Sequence, residues 1–88
     1  MTLSKAKIKW VQQLAQKKYR KQLGLFVAEG DKMVSELLQT MPCEALFYTE
    51  QYSGPQVAQQ LFLVSHDELC KLSRLETPQN VLGVFRMP

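Results

Sequence analysis

Five consecutive positions carry the densest chemistry in this chain: Lys17-Lys18-Tyr19-Arg20-Lys21. A lysine offers phosphate a compact point charge, and Arg20 offers it a bidentate fork. Tyr19, set among them, either presents a ring on which an unpaired base stacks or anchors the following strand to the core. The flanking sequence reinforces the charge. Residues 1–28 hold Lys5, Lys7, Lys9 and these four bases, and no acid. Residues 29–88 hold four bases against eight acids. A pole of +7 therefore faces a remainder of −4 within a net charge of +3. Such a pole attracts polyanions over about 8–10 Å at ordinary salt. The bland alternative is a solvated helix face.

Two other short motifs have comparable chemistry. Glu29-Gly30-Asp31-Lys32 is a sharp turn that opens a helix. Free backbone N–H groups there suit a phosphate or a base edge, and a plain tight turn is the competing reading. Thr77-Pro78-Gln79-Asn80 is a rigid polar corner whose Gln79 and Asn80 can hydrogen-bond bases, or simply connect a helix to a strand.

Other chemistries find no support. One histidine, His66, and two cysteines, Cys43 and Cys70, do not make a zinc ligand set. No Ser or Cys sits in a nucleophile elbow, and neither G-x-G-x-x-G nor a P-loop occurs. Asp67 and Glu68 form a carboxylate pair, but a helix N-terminus accounts for both.

The elements that must position these residues alternate in type. Ser4 caps a first helix to about Gln16, with Ile8, Val11, Leu14 and Ala15 on one arc and Trp10 at its margin. The basic segment follows, closed by Gly24. Leu25–Ala28 reads as a buried strand, and Asp31 to about Thr40 as a second helix ended by Pro42. Ala45–Tyr48 is a second strand, Val57–Gln60 a short helix, and Leu61–Val64 a third strand. Ser65 and Glu68 form a capping box for a helix to about Ser73, and Val81–Phe85 is a last strand interrupted by Gly83. This alternation predicts an α/β fold: a three-layer sandwich with a small, mostly parallel four-stranded sheet and helices on both faces.

Eighty-eight residues make one domain, 1–88, with a thin core. A chain with 45% hydrophobic and 22% charged residues is not a disordered tail. Its apolar runs are too short to span a bilayer, and no apolar signal-peptide region follows the first residues. Two cysteines suit a reducing cytoplasm, the expected location.

Taken together, the motifs resemble a known family. Ser4, Ile8-Lys9, Leu14, Lys17-Lys18-Tyr19-Arg20, Gly24–Gly30, Val34 and Leu37 look like the N-terminal substrate-binding domain of SpoU (TrmH) RNA 2′-O-ribose methyltransferases. The end is similar to the stretch before that family's catalytic domain: Ser65, Glu68-Leu69, Leu72-Ser73, Thr77-Pro78-Gln79 and Val81–Val84. Lys7 departs from the pattern, since the family often carries Asn or Gln there. The resemblance implies a sandwich like that of ribosomal proteins that bind RNA kink-turns. It implies structured RNA, ribosomal or transfer, as a partner, and neither a membrane nor DNA. It also implies a C-terminal SPOUT methyltransferase domain in the same protein, which binds S-adenosylmethionine. That domain's motifs are not among these residues, so no cofactor and no catalysis are expected of this chain alone. The expected RNA-binding residues are Lys5, Lys9, Lys17, Lys18, Tyr19, Arg20, Lys21, Glu29, Gly30, Lys32, Thr77, Pro78 and Gln79.

Two other readings compete. One is a stand-alone, kink-turn-type, ribosome-associated RNA-binding protein. The other is a protein–protein module docking through the first helix; charge is depleted in interface cores, which speaks against it.

Overall fold

The computed structural model describes residues 3–88. Ser4 starts helix α1 (Lys5–Gln12), its side chain accepting from the Lys7 N–H. A 3-10 turn over Gln13–Ala15 tightens the end of α1, and extended Gln16 breaks the path. The basic segment then forms a helix of its own, α2 (Lys17–Leu23), which Gly24 closes. Strand β1 (Leu25–Glu29) leads through Gly30 into α3 (Asp31–Leu38), with Asp31 in the first turn favouring the helix's positive end. Strands β2 (Cys43–Tyr48) and β3 (Gln60–Leu63) follow, then α4 (His66–Leu72) and β4 (Val81–Arg86). The capping box at Ser65 and Glu68 forms in both directions.

Helices lie on both faces of the four strands. One face buries Val11, Leu14, Leu69 and Leu72 against Leu25, Ala45, Phe47, Leu82 and Val84. The other buries Val34 and Tyr52 against Ala28, Leu46, Val81 and Phe85. The period-2 alternation along each strand sends its side chains to the two layers in turn. The β2 register shifts by one residue against β4 between Cys43 and Ala45. Glu44 is the extra residue of this bulge, which is why Cys43 and Leu46 share one face despite their odd spacing. The carboxylate of Glu44 meets Arg86 on the neighbouring strand at 2.7 Å.

The sheet is mixed, not mostly parallel. Its order is β1-β4-β2-β3; β4 runs antiparallel to β1 and to β2, and β2 pairs with β3 in parallel. The alternation of helices and strands does set β1, β2 and β3 in one direction. Only β4 reverses, but it enters the middle of the sheet, so two of the three pairings become antiparallel. Two contacts account for the reversal. The Glu29 carboxylate, at the end of β1, accepts from the Ser73 hydroxyl and from the Arg74 N–H. The Gly30 N–H donates to the Val81 carbonyl at 3.1 Å. The chain leaving α4 is thus held at the C-terminal end of β1, and β4 must start there and run the opposite way. Its Val81–Phe85 stretch is wholly buried, as a central strand requires.

Gly83 does not interrupt β4. It makes room for the Phe85 ring, which would come within 2.6 Å of a Cβ at that position. The expected helix over 57–60 is also absent. The Tyr52 hydroxyl donates to the Pro55 carbonyl, and the Gln59 N–H is taken by the Cys43 carbonyl, which starts the β2–β3 ladder. A backbone committed to that ladder cannot also close a helical turn.

Candidate nucleic-acid interface

The positive pole resolves into two short helices. On α1, Lys5 and Lys9 are exposed; on α2, Lys17, Lys18 and Lys21 are exposed. Among the described residues, none of these five ammonium groups meets a carboxylate, the one ion pair being Arg86–Glu44. The Lys18 ammonium lies 5.3 Å above the Tyr19 ring, and Tyr19 itself is half-buried. Lys7 is used differently: its ammonium donates to the Gln60 side chain at the start of β3 and sits 4.6 Å above the Trp10 ring. Where the resembling family often has Asn or Gln, this lysine ties α1 to the sheet.

Arg20 is not wholly free to act as the phosphate fork that its residue type offers. One of its terminal nitrogens donates to the carbonyls of Leu14 and Ala15, both at 2.9 Å. These carbonyls end the 3-10 turn, where no backbone partner remains for them. Arg20 therefore caps one helix from another. It also lines a shallow groove along the outer edge of β1, shared with Phe26, Glu29, Met33, Arg74 and Leu75. Arg74 is not among the residues expected from the sequence. It lies in a stretch that carries no periodic signal, and only the grip of Glu29 on its N–H brings it to this edge.

Glu29 is likewise a brace for the chain after α4, with both carboxylate oxygens engaged. Gly30, beside it, is buried and has φ +101°, a conformation that L side chains rarely adopt. The Gln79 side chain lies directly over it, and a Cβ there would sit 3.1 Å from Oε1. The structure thus joins two motifs separated in sequence, Glu29-Gly30-Asp31-Lys32 and Thr77-Pro78-Gln79-Asn80, into one polar corner. Lys32, Thr77 and Gln79 are exposed on it and Pro78 is half-buried.

The thirteen expected residues therefore fall into two groups. Seven precede β1 in the chain: Lys17, Lys18, Tyr19, Arg20 and Lys21 lie on α2, which leads directly into the strand, whereas Lys5 and Lys9 lie on α1, whose start is tied to β3 and α4 through Lys7–Gln60 and Leu3–Glu68. Glu29, Gly30, Lys32, Thr77, Pro78 and Gln79 gather beyond the other end of β1, one five-residue strand away, about 17 Å. The groove from Arg20 to Glu29 and Arg74 runs between them. Such an arrangement suits an extended or folded polyanion laid along the β1 edge, with charge at one end and hydrogen-bonding groups at the other.

Burial pushes the Cys43 thiol up to about 11, so it stays neutral. Glu68 is held below the usual carboxylate range by the N–H groups of Ser65 and Leu3. Both roles are structural. Among the described residues no group of His, Cys, Asp and Glu could hold a metal ion, and no helix is long and apolar enough to cross a membrane.

Comparison with known proteins places this geometry. A solved structure described as an RNA methyltransferase of the TrmH family, from Porphyromonas gingivalis, superposes over all of this chain with a TM-score of 0.85 and 32% identity. An AdoMet-bound rRNA methyltransferase from Sinorhizobium meliloti matches over 100% of the chain with a TM-score of 0.78 and 26% identity. The SpoU methyltransferase AviRb from Streptomyces viridochromogenes, 22% identical with a TM-score of 0.71 over 97% of the chain, shares the fold. The chain spans only 36–37% of the length of these three. Comparison with curated protein sequences gives no match. The family described as the MRM3-like substrate binding domain matches residues 5–83, nearly the whole chain. This chain belongs to that family of substrate-binding domains, in the fold of the TrmH-family RNA methyltransferases.

Proposed function

We infer that this domain grips structured RNA, ribosomal or transfer, and presents it to an S-adenosylmethionine-dependent 2′-O-ribose methyltransferase domain of the same polypeptide. The observation that carries this reading is the set of exposed lysines on α1 and α2, unpaired among the described residues and free of any acid in the same 28-residue stretch. The membership in a substrate-binding family and the AdoMet-bound structural relative support it. The small share of the relatives' length that this chain spans supports a partner domain over the stand-alone alternative. A cytoplasmic location belongs to the same proposal; the free thiols of Cys43 and Cys70 fit a reducing compartment.

The residues present do not fit S-adenosylmethionine. The four glycines are dispersed over a helix end, a turn, the Tyr52 loop and strand β4, and build no glycine-rich cradle. The work of this chain is therefore electrostatic capture and orientation. Lysine heads neutralise phosphates and release counterions, while the exposed Gln79 carboxamide, held over Gly30, supplies hydrogen bonds of fixed direction.

The test is titration of a structured RNA over a salt series. Four to six phosphate contacts give a log–log slope of roughly −3 to −5, at about −0.7 to −0.9 for each phosphate neutralised. A slope near zero, or no binding at low salt, overturns the reading.

A further inference from the structure

A second groove opens between α1 and α2, away from the β1 edge. Its walls are Ala6, Lys9, Trp10, Gln13, Gln16 and Tyr19. The first four fall on one helical face at spacings of three and four, and Gln16 turns the chain so that Tyr19 closes the other side. Trp10 packs one part of its ring on the core and stays half-exposed. Lys7 lies over the Trp10 ring and Lys18 over the Tyr19 ring, so both aromatics are held in place from outside the groove lining. Ala6 is small enough to leave the space open. The carboxamides of Gln13 and Gln16 and the ammonium of Lys9 make no side-chain hydrogen bond among the described residues.

Two half-exposed rings, two unpartnered amides and a lysine, in a stretch without acids, form a chemical set. Rings stack on a base from either face, an amide offers both a donor and an acceptor to a base edge, and the ammonium meets the attached phosphate. An apolar protein partner would have to bury Lys9 and both amides at its centre, which interface cores disfavour. We propose that this groove is a stacking subsite for one unpaired RNA base, with Trp10 and Tyr19 as the platform. The proposal rests on the RNA-binding reading above and adds to it a dependence on bases, which phosphate contacts alone do not have.

Trp10 is the sole tryptophan, so its fluorescence reports this groove and nothing else. A short single-stranded RNA carrying an end label is compared with an abasic ribose-phosphate oligomer of equal length. Anisotropy of the label reads binding, and tryptophan emission reads stacking. The expected result is quenching by the base-bearing oligomer only, with roughly five- to hundredfold weaker binding of the abasic one. Tyr19→Leu, which keeps apolar bulk, is expected to weaken the base-bearing oligomer by a similar factor and leave the abasic one unchanged. Equal binding of both oligomers with unaltered emission overturns the subsite while leaving RNA binding intact. No anisotropy change with either oligomer, or with structured RNA at low salt, overturns both.

Discussion

Gln79 lies across Gly30 so closely that a Cβ on the glycine would meet the amide oxygen at 3.1 Å. This contact joins the turn after β1 to the loop before β4, and the N–H of Gly30 completes it by donating to the Val81 carbonyl. The glycine itself stands at φ +101°, ψ 142°, near a region essentially reserved for residues without a Cβ. Gly30→Ala is therefore expected to cost about 1–3 kcal/mol, mostly as backbone strain. For a domain of this size that lowers the melting temperature by roughly 4–20 °C. Adding Gln79→Ala removes the close contact but not the strain, so the double variant recovers little. A full recovery in the double variant would locate the cost in the side chain instead.

The basic helix separates binding from folding residue by residue. Lys17, Lys18 and Lys21 are exposed, whereas Arg20 is bonded to two carbonyls. The triple variant Lys17→Gln, Lys18→Gln, Lys21→Gln is expected to melt within about 0.5 kcal/mol of the parent. Its RNA affinity falls, and its salt slope flattens by roughly 0.7–0.9 for each phosphate no longer neutralised. Arg20→Gln is expected to cost about 1–2 kcal/mol of stability, because two carbonyls at a helix end lose a charged donor. Thermal melts paired with RNA titrations check both. An Arg20 variant as stable as the parent would count against the capping role.

Glu29 is expected to matter to the fold more than to any ligand. Both of its oxygens hold the chain after α4, through Ser73 and Arg74. Glu29→Ala is expected to cost about 1.5–3 kcal/mol, the range for hydrogen bonds to a charged group. RNA affinity measured well below the melting temperature should change little. Hydrogen exchange at Arg74 provides the local readout, since its N–H loses its acceptor. Unchanged protection there would contradict the bracing role.

The α4 cap makes stability depend on pH. Glu68 accepts from the N–H groups of Ser65 and Leu3, at 2.9 and 2.8 Å, which holds its pKa below the ordinary value of about 4.3. A carboxylate depressed by folding stabilises the folded state fully above its unfolded pKa and loses that contribution as pH falls through its folded one. Glu68→Ala should thus lower the melting temperature at neutral pH, and its deficit should shrink as pH drops below about 4. Ser65→Ala removes the reciprocal bond and is expected to cost about 1 kcal/mol. A Glu68 deficit that grows on acidification would refute the assignment.

Local signals carry the sequence a long way. Ser4 and Ser65 cap the helices they announce, and the four strands lie where apolar runs stand between turn residues. These features depend on neighbours a few positions away, as does the cationic pole of the first 28 residues. The motifs around Gly30 and Gln79 are each visible in the sequence, but not their meeting. What the tertiary structure decided rests on pairs far apart in the chain. By sequence Glu29 is a turn residue at an RNA face, yet its partners are Ser73 and Arg74. That grip fixes where β4 begins and therefore its reversed direction, which alternation of helices and strands cannot encode. By sequence Arg20 is a phosphate fork within a basic run, but the break at Gln16 folds α2 back so that its guanidinium meets the carbonyls of the preceding turn. Trp10 sits at the margin of an apolar arc, and only that same break sets Tyr19 across from it. Spacing along a helix specifies a face; which face it meets depends on how the chain returns, and that is settled by packing.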